Sequence, residues 1–199
     1  MNEYVNFLNK LVPMTEEEKL EVLECTSEKT YKKGEVIYSK GEICTHILFV
    51  LSGYGRSYSL DMNRREFTWN LNFNDQHSLF GNFFIFDFSS FLAQEPTELY
   101  IEAITDMKVI RMSYIEMKML YIKNLKYRDA GRLLAEYAYY SMQKRSLTLL
   151  TMTAEARYEQ MLTEQPQLLQ KFQQYYIASY LGITPQSLSR LRSNCNSNI

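Results

Sequence analysis

What this chain has little of narrows the field. Its two histidines, His46 and His77, and three cysteines, Cys25, Cys44 and Cys195, are scattered, with no CxxC pair and no His beside a Cys at metal-ligand spacing. A metal centre takes several such ligands, so none is expected. An odd set of isolated thiols suits a reducing, cytoplasmic setting. No stretch approaches the roughly 18 consecutive apolar residues of a membrane span. The N-terminal apolar segment is broken by Asn6, Asn9 and Lys10 and followed by Glu16, Glu17 and Glu18, which is not the pattern of a signal peptide. Nucleophile-elbow, Walker and paired-cysteine motifs are missing, so no catalytic residue is nominated and neither an enzyme nor a cofactor is expected. The net charge of −1 gives no overall basic field.

What is present is a change of period along the chain. With 199 residues, 46% of them hydrophobic, there is material for one large domain and a small appendage. Val5, Leu8 and Leu11 space a short helix that Pro13 ends, and Thr15 with Glu18 forms a capping-box pattern that opens a second. From Thr30 the segments 35–38, 46–51, 55–60 and 66–71 are short and rich in β-branched or aromatic residues, punctuated by Gly34, Gly41, Gly53 and Asn63; 99–103 and 108–112 add two more. Such spacing argues a sandwich or small barrel of jelly-roll type. After Ser113 the period is helical again, with a short helix over 114–121 and a long one over 124–152. Leu134, Tyr137, Met142 and Leu149 lie near one broad face of the long helix, which packs either on its own barrel or on a second copy. The class is α+β.

Two features carry chemistry. The first is QYYIASYLGITPQSLSRLR at 174–192, two helical patterns meeting at Gly182. Ala178 permits close helix approach, Gly182 suits a left-handed turn, and Thr184 with Pro185 supplies an N-cap and first helical position. Leu188 and Leu191 then face inward, leaving Gln186, Ser187, Ser189, Arg190 and Arg192 on the polar side. Arg reads guanine and Gln reads adenine in a major groove, and hydroxyls bond phosphate; the alternative is a helical hairpin with a solvated face. No acidic residue follows Glu164, whereas Lys171, Arg190 and Arg192 do. The second feature is an aromatic cluster, Phe80, Phe83, Phe84, Phe86, Phe88 and Phe91 with Trp69 and Phe73, which is either barrel core with a packed lid or an apolar ligand pocket.

The stretch YYIASYLGITPQSLSRLR resembles the helix-turn-helix of the CRP/FNR superfamily of bacterial transcription regulators. AEARYEQML at 154–162 resembles the helix leading into that family's DNA-binding domain, and 33–53 resembles the start of its cyclic-nucleotide-binding barrel. The resemblance implies an N-terminal double-stranded β-helix (jelly-roll) barrel over 1–123, a long connecting and dimerisation helix over 124–152, and a helix-turn-helix over 153–199. The last would be a degenerate winged helix, since only 167–174 and the residues beyond Arg192 could supply a wing. It further implies a homodimer on double-stranded DNA, RNA polymerase as a further partner, no membrane, and a small-molecule effector. Base contact carries over to Gln186 and Arg190, phosphate contact to Thr184, Ser187, Ser189 and Arg192, and a packing role to Arg157 with Tyr158.

One departure stands out. Where the family places a Glu for the ribose and, some ten residues on, an Arg for the cyclic phosphate, this chain has Asp87 and Thr97. No Lys or Arg occurs between Arg65 and Lys108, and Glu95, Glu98 and Glu102 crowd the segment. A phosphate entering a partly buried site needs cations or amide donors, so cyclic AMP is not expected as a ligand. The effector pocket is placed instead at Phe84, Phe86, Asp87, Phe88, Thr97 and Glu98. The expected function is a dimeric DNA-binding transcription regulator with an unidentified signal. Two other readings stay open: a sensing or protein-interaction module with a helical tail that ignores DNA, and an ordinary cyclic-AMP-responsive regulator whose cation comes from elsewhere in the chain.

Overall fold

The computed structural model describes residues 2–76 and 78–196; His77 and the side chain of Cys195 lie outside the described residues. Helix α1 (Glu3–Leu11) begins where the Asn2 side chain accepts from the Val5 amide. Helix α2 (Glu16–Glu24) begins at the expected capping box, with Thr15 and Glu18 bonding each other's backbone amides. Seven strands follow: β1 (Ser27–Tyr31), β2 (Val36–Tyr38), β3 (His46–Ser52), β4 (Gly55–Leu60), β5 (Glu66–Asn72), β6 (Tyr100–Ala103) and β7 (Met107–Ser113). They form two antiparallel sheets ordered β1-β7-β3 and β2-β6-β4-β5. Neighbours in each sheet are mostly distant in sequence, as a jelly roll requires. Gly53 turns β3 into β4 at φ +86°, and a Cβ there would sit 2.3 Å from the Asp106 carbonyl oxygen, so only glycine fits.

Strand β1 was not expected: Ser27 to Thr30 are all exposed and the consecutive Glu28 and Lys29 put charge on both faces, which hides the period that a half-buried strand shows. A six-residue helix, α3 (Phe88–Ala93), also appears inside the aromatic stretch. The cluster itself is part core and part partly buried wall. Phe91 is buried, and Phe83 and Phe84 pack on Phe49 of β3 and Phe7 of α1.

Helices α4 (Tyr114–Lys123) and α5 (Leu125–Thr151) come next, then α6 (Ala154–Glu164), α7 (Leu168–Lys171), α8 (Gln174–Leu181) and α9 (Pro185–Asn196). The 27 residues of α5 span about 40 Å at 1.5 Å each. Its first turns are fixed to α2, where Lys126 and Asn124 bond Glu18 and the Tyr127 hydroxyl donates to Glu21 at 2.6 Å. Tyr127, Ala130 and Leu134 are buried in the barrel core. Further along, Tyr139, Tyr140, Leu147 and Leu150 are exposed, Leu150 by 82%. Where a wing remnant was expected at 167–174, α7 stands instead, and among the described residues no strand follows β7. Nor, among them, is any helix long and apolar enough to cross a membrane.

A second core joins the C-terminal helices to the barrel. Leu71 and Phe73 from the end of β5 pack with Tyr158, Met161, Leu168, Phe172, Ile177, Ala178, Leu181 and Leu188. The terminal helices therefore dock against the four-stranded sheet.

Candidate nucleic-acid interface and effector cleft

The pair α8–α9 is built by local chemistry. Gly182 adopts φ +69°, its amide donates to the Ser179 carbonyl, and the Ile183 amide donates to the Ala178 carbonyl, the reciprocal bonds of a Schellman stop. Two residues on, Thr184 Oγ1 accepts from the Ser187 amide at 3.2 Å and caps α9, which opens with Pro185. Leu188 is fully buried and Leu191 half-buried against the second core. On the other side Gln186, Ser189 and Arg190 are exposed, as is Thr184, while Ser187 and Arg192 are half-buried. All six nominated residues thus fall on or beside α9, and three of them point a polar side chain into solvent from it.

What holds this pair in place was not legible beforehand. Ser179 on α8 is buried at β5: its hydroxyl accepts from the Thr68 amide at 2.8 Å, lies 2.9 Å from Thr68 Oγ1 and donates to the Glu66 carbonyl at 3.0 Å. Arg56 on β4 is only 3% exposed. It bonds Glu66 at 2.5 Å and Glu102 at 2.6 Å, and its guanidinium lies over the rings of Tyr58 and, from α8, Tyr176. Burial opposes its charge, yet the bonds to Glu66 and Glu102 outweigh that and hold it above its usual range. Arg145 on α5 donates to the carbonyls of Tyr180 and Thr68 and stacks on the Tyr180 ring. Arg157 takes its expected packing role, donating to Leu181, Met152 and Leu149 carbonyls at the ends of α8 and α5. The sequence signal for Arg56 was present: an Arg two residues from Tyr58 in a strand shares its face and needs an acidic partner once buried.

In the barrel, the positions that depart from the family pattern bond to one another. Thr97 is fully buried, and its hydroxyl donates to Asp87 Oδ2 at 2.6 Å. The other Asp87 oxygen accepts from the Ser89 and Ser90 amides at the start of α3. The amides that could meet a ligand's anion are thus occupied by the chain's own carboxylate. Glu98 is exposed and paired with Lys40 at 2.5 Å.

Of the six nominated pocket residues, Phe84, Phe86, Asp87 and Phe88 do line a cleft of about 470 Å³ between the barrel, α5 and α6. Thr97 and Glu98 do not. The opposite wall comes from Tyr137, Ala138 and Arg145 of α5 and from Arg157 and Gln160 of α6. Among the described residues no group of three His, Cys, Asp or Glu could hold a metal ion.

A seven-stranded jelly roll, a long helix along it and a capped helix-turn-helix define the architecture. Residues 28–124 match the cyclic nucleotide-binding domain family. No curated protein matches the sequence. Among solved structures, FixK2 from Bradyrhizobium japonicum is 21% identical, with 87% of this chain and 85% of that one covered at a TM-score of 0.71. A protein from Eubacterium rectale described as a transcriptional regulator of the CRP/FNR family is 19% identical over 93% and 85% of the two chains, at 0.67. The catabolite activator protein of Thermus thermophilus is 18% identical over 96% and 87%, at 0.55. Over residues 28–124 the chain is thus similar to a cyclic nucleotide-binding domain, and it shares the overall fold of these solved structures.

Proposed function

We propose that this protein is a DNA-binding transcription regulator of CRP/FNR type that works as a homodimer, with 1–123 as sensor, 124–152 as connecting and dimerisation helix and 153–199 as the DNA-binding segment. The observation that carries this is the bare polar side of α9. The fold buries Leu188 and fixes α8 against β5, yet it leaves Gln186, Ser189 and Arg190 uncovered. Gln186 and Arg190 are the base readers, with Thr184, Ser187, Ser189 and Arg192 toward phosphate. A chain with so few local cations needs two copies to hold a duplex, and the exposed Tyr140, Leu147 and Leu150 on α5 offer the second copy an apolar stripe. Selection from random duplex should therefore recover a palindrome whose half-sites lie about one helical turn, roughly 34 Å, apart. Recovery of single, unpaired motifs would count against the dimer, and recovery of none against DNA reading.

The signal is not a cyclic nucleotide bound in the ordinary way. Asp87 occupies the α3 amides, Thr97 is enclosed beside it, and Arg56, the buried cation of the adjoining sheet, is committed to Glu66 and Glu102. Calorimetry with cyclic AMP should give no binding heat at micromolar protein. A micromolar or tighter dissociation constant would contradict this.

A further inference from the structure

The cleft between barrel and helices holds positive charge that the fold does not answer. Its lining includes five acidic or basic side chains: Asp87, Lys144, Arg145, Arg157 and Glu164. Asp87 is consumed by Thr97 and α3, and Lys144 pairs with Glu164 at 3.1 Å. Among the described residues, the hydrogen-bond partners of the two remaining groups, Arg145 and Arg157, are backbone carbonyls. Among the described residues neither has a carboxylate in ion-pair range. Carbonyls and the Tyr180 ring offset part of the cost of desolvating Arg145, but its Nε is buried with no partner at all, and burial holds the guanidinium below its usual range. Gln165, on the α6 side of the same cleft, also leaves its Oε1 buried and unpartnered. Two helical turns back along α5, Tyr137 stacks on Phe80 with ring centroids 5.2 Å apart, and Trp69 and Phe86 share that wall. The apolar wall and the cationic wall are therefore about 12 Å apart along the helix.

We propose that this cleft binds an elongated amphipathic carboxylic acid, its apolar body against Phe80, Tyr137 and Trp69 and its carboxylate against Arg145 and Arg157. The site borders Asp87 but excludes the enclosed Thr97, and it rests on and deepens the sensing role proposed above. Because Arg145 and Arg157 also hold the carbonyl ends of α8 and α5, an anion drawn to them acts where the helix-turn-helix is anchored.

Trp69 is the single tryptophan of the chain and lines the cleft, so its emission reports occupancy directly. Full-length protein titrated with decanoate should show a saturable emission change in the micromolar range, and 1-decanol of equal length should bind at least tenfold more weakly. Arg145→Gln should weaken decanoate at least tenfold and leave decanol unaltered. Ala138→Phe fills the cleft without touching a charge and should remove the decanoate response, which keeps the test decisive if Arg145→Gln does not fold. No saturable change in the wild type, equal affinity for acid and alcohol, or unaltered decanoate affinity in either folded variant would overturn the proposal. No DNA enters this measurement, so its failure leaves the DNA-binding proposal standing, and failure to bind DNA leaves the ligand site standing.

Discussion

Arg190→Ala should lower affinity for the selected palindrome by about 30-fold to more than 10⁴-fold, while affinity for random duplex falls only modestly. A bidentate Arg–guanine contact contributes roughly 1–3 kcal/mol of discrimination, and a symmetric dimer loses it twice. Arg190 is exposed on α9, so its removal leaves the second core intact and thermal stability should stay within about 0.5 kcal/mol of wild type. Arg192→Ala should behave differently. As a phosphate contact it should weaken all sequences alike and flatten the dependence of affinity on salt. Competition binding against the selected and random duplexes separates the two variants. Equal losses on both duplexes for Arg190→Ala would remove its assignment as a base reader.

Arg56→Met should cost about 3–5 kcal/mol of folding stability, the usual loss when one member of a buried ion network is deleted. For a chain of this size that is a fall in Tm of roughly 6–20 °C. The reason is the arrangement at the sheet. Glu66 and Glu102 both turn their carboxylates to a guanidinium that is almost wholly enclosed, and Met would leave two partly buried acids facing each other. The ring of Tyr176 on α8 would also lose the cation beneath it, so the helix-turn-helix should loosen from the barrel. Adding Glu66→Gln and Glu102→Gln to Arg56→Met should recover most of the loss, since neutral amides do not repel. Scanning calorimetry of the single and triple variants checks this. A loss below about 1 kcal/mol for Arg56→Met would show that solvent, not the carboxylates, carries the charge.

How much of this could be read from sequence follows from the range of the interactions involved. The capping box at Thr15 and Glu18, the stop at Gly182 and the start at Thr184 and Pro185 are made by residues within a few positions of each other, and each was legible. Six strands showed in their apolar period; β1 did not, because its side chains are charged on both faces. The replacement of the family's Glu and Arg by Asp87 and Thr97 was visible as a departure, but not the bond between them, which depends on α3 folding back toward β6. Ser179 with Thr68, Arg145 with Tyr180 and Arg56 with Glu102 are matched across 111, 35 and 46 residues. No local period encodes such pairs. Hence the polar face of α9 could be nominated from its own residues, while the anchors that fix it to the barrel, and the cleft they border, emerge only from the fold.

The most direct test is a salt titration of wild-type protein on a fluorescein-labelled duplex, read by anisotropy from low to physiological ionic strength. The account predicts binding at low salt, with the logarithm of affinity falling linearly as the logarithm of salt concentration rises, a slope that Arg192→Ala reduces by about two, one for each protomer of the dimer. A folded protein that leaves the anisotropy of every duplex unchanged at low ionic strength would contradict it.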